Sequence, residues 1–229
     1  VIVLRPTAVL IENVQGIRRD RGGHIGFVKN ILLHHGYEID EGLVMASDVG
    51  VPQKRRRYFL IGSSKKQPSI ARAVSRFNKE PTTVSWAIDD LSDLYGHDVF
   101  NTSAKPSDEN QKRIDKLFSL NVYELPNEYR PDCHKLKKHS YNSVYGRMYW
   151  NGPSPTITTG FGSTGQGRFV HPQAPRTITP HEAARLQTFP DFFDFSGVGR
   201  SKLQTLIGNA VPPLMGVPLI DELLTKLGK

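Results

Sequence analysis

The sequence predicts an α/β fold in its first third, followed by a smaller, irregular mixed domain, and three observations carry that prediction. Residues Ala8–Ile11 form a near-continuous apolar run ending in Glu12-Asn13, the pattern of a parallel strand buried on both faces. Ile25, Val28, Ile31, Leu32 and Leu33 then keep helical spacing as far as Gly36, which stops the helix. Tyr37–Met45 and Tyr58–Gly62 read as two further strands. Strand, helix, strand, strand in this order suits the later half of an α/β sheet whose first strands are not in this sequence. A short strand at Val1–Leu4 is expected to precede them.

From about Lys65 the character changes. Pro, Ser, Asn and Lys become frequent, and apolar periodicity persists only near Trp86–Leu94 and Ile114–Leu120, the latter a helix with Ser107 as its cap. Tyr141–Val170, rich in Gly, Thr and aromatics, predicts short strands and loops. Order returns at Thr179-Pro180-His181-Glu182, a capping box with Pro at the first helical position, and the helix should run through Leu186. Leu214–Leu227 is apolar at helical spacing, with Pro218 expected to delay or kink its start.

Composition narrows the class. With 229 residues and 38% hydrophobic side chains the chain can bury a core, and nothing in it suggests collagen, a coiled coil or disorder. The apolar runs look too short to span a bilayer, and Val1–Leu4 lacks the features of a signal peptide. The start at Val hints at a true start upstream. The single cysteine, Cys133, excludes an internal disulfide framework and fits a reducing cytoplasm. A net charge of +8 favours a polyanion partner, although an ordinary basic soluble protein has the same balance. His24, His34 and His35 lack partners at ligand spacing, as does Cys133-His134, so no metal site is expected.

Two clusters carry candidate chemistry. Glu12 closes an apolar strand, where open α/β sheets place ligands, but taken alone it reads more readily as a loop-ordering or helix-capping acid. In Gln53-Lys54-Arg55-Arg56-Arg57, Arg55 and Arg57 alternate along an incipient strand and so point to one face, with at least one of them near Glu12.

Four stretches in order resemble motifs of the DNA cytosine-5 methyltransferases. Arg5–Val14 is similar to motif VI with its Glu-Asn-Val, and Gln53–Arg57 to motif VIII, Gln-x-Arg-x-Arg. Arg176–Pro190 resembles motif IX and Ile207–Pro213 motif X, with the family's variable recognition region between VIII and IX. The resemblance implies the C-terminal part of a Rossmann-like methyltransferase sheet that uses S-adenosylmethionine, plus a small mixed target-recognition domain. Residues 1–65 would be the second half of the catalytic domain, 66–175 the recognition domain, and 176–229 a segment returning to the catalytic domain.

The same resemblance assigns roles. Glu12 engages ring N3 and the amino group of a flipped cytosine, holding or sharing a proton, while Arg57, with Arg55, holds O2 and orders the thiolate loop. Asn209, Ala210 and Val211 are the cofactor-side candidates, although a Gly-Asn turn into the last helix explains them equally well. Thr156-Ile157 is the expected recognition pair, with Thr158 as the alternative. Gln53, Gln166 and Arg168 are further DNA-contact candidates, the last two in a Gly-rich turn. Arg176, Glu182 and Arg185 are expected to tie the recognition domain to the catalytic one by ion pairs and capping.

The family's Phe-x-Gly-x-Gly turn and Pro-Cys nucleophile are not in this sequence, and Cys133, preceded by Asp132, is a poor substitute. Three explanations follow: a fragment of a full enzyme, which the start at Val favours, a split-enzyme subunit that works with an N-terminal polypeptide carrying the early motifs, or a degenerate relic. In each the isolated chain is expected to be inactive. Double-stranded DNA is the expected substrate, in the bacterial or phage cytoplasm near the nucleoid and with no membrane. The competing readings are a non-catalytic sequence-specific DNA-binding module and a tRNA-methylating relative.

Overall fold

The computed structural model describes residues 1–96, 98–135 and 143–228. Tyr141 and Asn142, which open the predicted loop-rich stretch, lie outside the described residues. The chain forms two compact units, Val1–Pro81 with Val211–Lys229, and Thr82–Ala210.

The first unit is built on a three-stranded sheet. Strands β1 (Ala8–Val14), β2 (Glu38–Met45) and β4 (Arg56–Ser63) lie in the order β1-β4-β2, with the two-residue strand β3 (Gln53–Lys54) just before β4. Both β1 and β2 pair antiparallel with β4, so they run parallel to each other on either side of it. This corrects the expectation for β1. Among the described residues its only strand neighbour is antiparallel, and its side chains are half-buried or exposed.

The central strand is apolar because both its faces are covered. Tyr58 and Leu60 join Leu32 of helix α1 (His24–His34), while Phe59 and Ile61 pack with Ile70 and Ala73 of α2 (Ile70–Arg76) and Met215, Leu219 and Leu223 of α8 (Pro213–Leu227). Period-two alternation delivers successive residues to opposite faces, and each such burial contributes about 1.5–3 kcal/mol.

Helix α2 was not foreseen. Ser69 caps it by accepting from Arg72 N–H, and it is joined to α8 by Glu222, whose side chain is wholly buried. That carboxylate accepts from the Ser69 backbone at 3.0 Å and from the guanidinium groups of Arg72 and Arg76. Burial is the largest influence and raises its pKa, but the contacts with Arg72, the Ser69 backbone and the Lys226 charge together hold it below the usual value.

Val1–Leu4 is not a strand. Arg5 N–H donates to Val1 O at 2.8 Å, Arg5 takes a positive φ of 41°, and Val3 and Leu4 are almost fully exposed. Helix α8 starts at Pro213 and continues through Pro218, so that proline neither delays nor ends it. By length and composition, Arg200–Leu227 is apolar enough to cross a bilayer, contrary to the reading from apolar runs. It consists of two helices, and α8 buries Met215, Leu219 and Leu223 in a protein core.

The second unit is mostly helices and loops. Helices α3 (Val84–Ile88), α6 (Pro180–Leu186) and α7 (Arg200–Asn209) share a core with Met148, Ile157, Phe161, Phe169 and Ile178. Helix α4 (Asp108–Ser119), capped by Ser107 as expected, buries Ile114 and Leu117 against Leu125, Val144 and Tyr145. Helix α5 (Asp132–Lys135) is one turn long and β5 covers only Ser154–Pro155. Around them the chain makes isolated bridges, Arg147 with Val170 and Val170 with Thr177, as a Gly- and Thr-rich segment without alternating apolar residues should.

Candidate functional site

Strand pairing brings the first cluster together. Val14 on β1 faces Arg57 on β4, and Glu12 faces Phe59, so Glu12 and Arg57 are diagonal neighbours on one face. Arg57 Nε lies 3.0 Å from Glu12 Oε1, with the two side chains 17% and 23% exposed. Arg57 also donates to the carbonyl of Arg56 at 2.9 Å. The carboxylate is thus met by a cation rather than by an apolar wall, and both groups remain open to a ligand.

Arg55 completes the cluster and is only 2% exposed. Burial pulls its pKa down to about 10, the nearby Arg57 charge adds to this, and Glu12 opposes it. Arg57 is lowered in the same way, by burial first and against the pull of Glu12. Lys54 and Arg56 are exposed, so the basic run alternates between protein interior and solvent as its spacing predicts. Two arginines against one carboxylate leave a net positive, partly dehydrated cluster at the end of β1.

Gln53 is wholly buried, and its main chain is tied to Val51 O and to Arg55 N–H. It is placed to support the arginine strand from within.

In the second unit, Thr156 is half-buried and Ile157 wholly buried in the core, while Thr158 and Thr159 are exposed. Gln166 is exposed on a cavity of about 490 Å³ that it shares with Thr159, Ser163, Arg200, Ser201 and Gln204. Sequence reasoning passed over the last four, which carry no pattern of their own and meet only through the fold.

Arg168 does not project toward solvent. It donates to the carbonyls of Tyr123 at 2.9 Å and Arg147 at 3.0 Å and to Glu124 at 2.7 Å, and its guanidinium lies over the Tyr149 ring. Arg147 in turn lies over Phe118 and Tyr123, and Tyr123 stacks on Tyr149. The two arginines are interior struts in a ladder of aromatic rings. The expected reach of Arg168 to phosphate or a guanine edge does not match this inward setting: the side chain is buried and three of its donors are held by this frame.

The motif IX residues close ion pairs inside the second unit. Arg176 holds Glu182 through two hydrogen bonds, at 2.9 and 2.6 Å, and Glu182 completes the predicted capping box with Thr179. Arg185 donates to Asp90 at 3.1 Å and to Asp191 at 2.6 Å. All these partners fall within Thr82–Ala210, so the pairs brace one unit instead of joining two.

His171, buried beside them, accepts the backbone N–H groups of Gln173 and Ala174 at Nδ1, at 3.1 and 3.0 Å. Its proton therefore sits on Nε2. Burial, against the pull of Glu182 and helped by Arg176 and Arg147, lowers its pKa from 6.5 to about 4. The unfolded chain takes up a proton first, so this contribution is complete above pH 6.5 and is lost as pH falls toward about 4. By pH 5 the unit should lose about 2 kcal/mol through this group. Urea midpoints at pH 7 and pH 5 should separate more for the native chain than for His171→Gln, and equal separations would contradict this assignment.

Asn209 is exposed at the end of α7, and Ala210 and Val211 are half-buried after it. Gly208-Asn209 is therefore the last turn of a helix, not a free turn. Cys133 is exposed on α5, with Asp132 and Lys135 paired at 3.3 Å beside it.

Over residues 2–229 the sequence matches the family described as C-5 cytosine-specific DNA methylase. It is 53% identical over 210 residues to the type II methyltransferase M1.BsuMI of Bacillus subtilis, covering 92% of this chain and 49% of that protein. It is 35% identical over 226 residues to the type II methylase M.HgiDII of Herpetosiphon aurantiacus, covering 93% of this chain and 63% of the relative. Among solved structures, a prophage-encoded DNA modification methyltransferase from E. coli matches with a TM-score of 0.65 and 26% identity, over 99% of this chain and 71% of that one. The chain thus spans about half to two thirds of the length of these curated relatives.

Proposed function

This chain belongs to the C-5 cytosine-specific DNA methylase family, and on that premise we propose that it supplies the target-base pocket and the DNA-reading surface of a DNA cytosine-5 methyltransferase. The observation that carries the reading is the Glu12–Arg57 contact at 3.0 Å, with Arg55 beside it. Cytosine C5 becomes nucleophilic only after a thiolate adds to C6, and that addition needs a proton at N3 and a steady donor at O2. Glu12 holds the proton at N3 and accepts from the amino group. Arg57 donates to O2, and the buried charge of Arg55 stabilises the electron density that gathers on the ring. The thiolate comes from another stretch of polypeptide, since the only cysteine here is the exposed Cys133.

S-adenosylmethionine is the family's methyl donor and supplies an electrophilic methyl group. Asn209, with an exposed amide, and Ala210 and Val211, small and half-buried, fit the rim of such a nucleoside and not its whole site. DNA reading falls to the second unit. Thr156 and the buried Ile157 anchor the loop, Thr158, Thr159 and Gln166 face the duplex, and Arg168 acts from within as a support, while Gln53 of the first unit supports the arginine strand. The +8 charge suits the phosphate backbone, and a bacterial or phage cytoplasm follows from the same reading.

The test is reconstitution. Mixed with a separately expressed polypeptide carrying Phe-x-Gly-x-Gly and Pro-Cys, the chain should support tritiated methyl incorporation into duplex DNA, where neither part alone does. A folded complex that binds DNA and transfers no methyl would overturn the reading in favour of a DNA-binding module.

A further inference from the structure

The second unit contains a cavity of about 530 Å³ that none of the motif residues explains except Arg176. Its volume lies within the range of small-molecule sites, roughly 300–1,000 Å³. The deep side is made by Ile88, Trp150 and His171, with the Trp150 and His171 rings 5.9 Å apart. Tyr95 forms a side wall, and the Arg176 guanidinium covers one face of it at 4.5 Å. Asp89 and Ser92 stand at the exposed rim.

The charges in this cavity are unequal. Arg176 is matched by the two oxygens of Glu182, so it presents little free positive charge. His171 is neutral at pH 7. The Asp89 carboxylate makes no hydrogen bond or ion pair with any described residue, although the backbone N–H of Asp89 donates to Ser85 O and its neighbour Asp90 is held by Arg185. The cavity therefore offers aromatic walls, one uncommitted carboxylate, and the neutral amide of Gln173, which can turn a donor or an acceptor to any base and so does not discriminate. That combination selects a flat heteroaromatic ring with adjacent N–H donors on one edge. Among the neutral bases only guanine has them, at N1 and N2: adenine and cytosine place an acceptor beside the amino group, and thymine flanks its N–H with carbonyls.

We propose that this cavity is a nucleobase site selective for guanine, read by Asp89, which takes the base either as a free nucleoside or as an unstacked residue of nucleic acid. The aromatic walls supply stacking that any base shares, and Asp89 supplies the discrimination.

Trp150 provides the readout. The chain has two tryptophans, and the other, Trp86, is 61% exposed, so Trp86→Phe leaves Trp150 as the only indole without disturbing the core. Guanosine should change Trp150 fluorescence in a saturable way, with inosine, which lacks the N2 amino group, binding roughly 10–100-fold more weakly. Asp89→Asn should weaken guanosine by a similar factor and leave adenosine unchanged. A duplex with a bulged guanine, compared with one with a bulged adenine, separates the sources: displacement of guanosine by the guanine bulge assigns the site to nucleic acid, and failure to displace assigns it to free nucleosides. Equal binding of guanosine, inosine and adenosine, an Asp89→Asn variant that binds guanosine normally, or no response to guanosine or either bulge up to ~5 mM would overturn the proposal. Methyl transfer is not measured, so the outcome is independent of the methyltransferase reading.

Discussion

Glu12→Gln is expected to lower kcat of the reconstituted enzyme by about 10²–10⁴-fold, the range for removing a positioned proton donor. The substitution preserves the shape of the side chain and its place opposite Phe59. It removes the acid, and with it the charge that meets Arg57 at 3.0 Å. Affinity for duplex DNA, measured by mobility shift, should change little, because the second unit is untouched. Single-turnover methyl transfer at saturating DNA isolates the chemical step. Weaker DNA affinity with an unchanged single-turnover rate at saturating DNA would place Glu12 in binding and remove it from the chemistry.

Gly208→Ala is the second large effect. A Cβ at Gly208 would lie 2.3 Å from the Thr159 backbone nitrogen and 2.4 Å from the Thr158 carbonyl carbon. Both are main-chain atoms, so no rotamer change relieves the clash, and α7 or the threonine loop has to move. A loss of about 3 kcal/mol is expected, at the upper end for overpacking. For a chain of this size that is a drop in Tm of roughly 6–12 °C, readable by calorimetry. Gly216→Ala in α8 is the control. Its added methyl meets only Ile220 Cδ1 at 3.8 Å, and it should be neutral or slightly stabilising. If the two variants melt alike, the packing argument is wrong. Because Thr158 and Thr159 are exposed, a stable Gly208→Ala protein should also read DNA less selectively.

What could be read from the sequence was local. Ser107 and Thr179 marked α4 and α6 because capping is decided within three residues, and Tyr58–Gly62 announced a strand through its own unbroken apolar run. The face shared by Arg55 and Arg57 followed from alternation alone. Helix α2 escaped notice because it has seven residues, and one of its main supports, Glu222, lies 150 positions from Arg72. Helix α7 escaped because few of its side chains are buried, and its tightest packing is a glycine against a distant backbone. Arg168 looked like a DNA contact because it follows a Gly-rich turn. Only the fold brings Tyr123, Tyr149 and Glu124 around it.

The alternation that separates Arg55 and Arg57 from Lys54 and Arg56 makes the connection before β4 a counting device. A strand has two faces, so a shift of one residue exchanges them completely. Deleting a single residue between Val51 and Lys54 would preserve the basic run. If the deletion slid the run by one place, Lys54 and Arg56 would occupy the interior positions. Composition and net charge would hardly change, yet Glu12 would face a different side chain. This connection should therefore accept substitutions far more readily than insertions or deletions of one residue, and a change of two should be milder than a change of one.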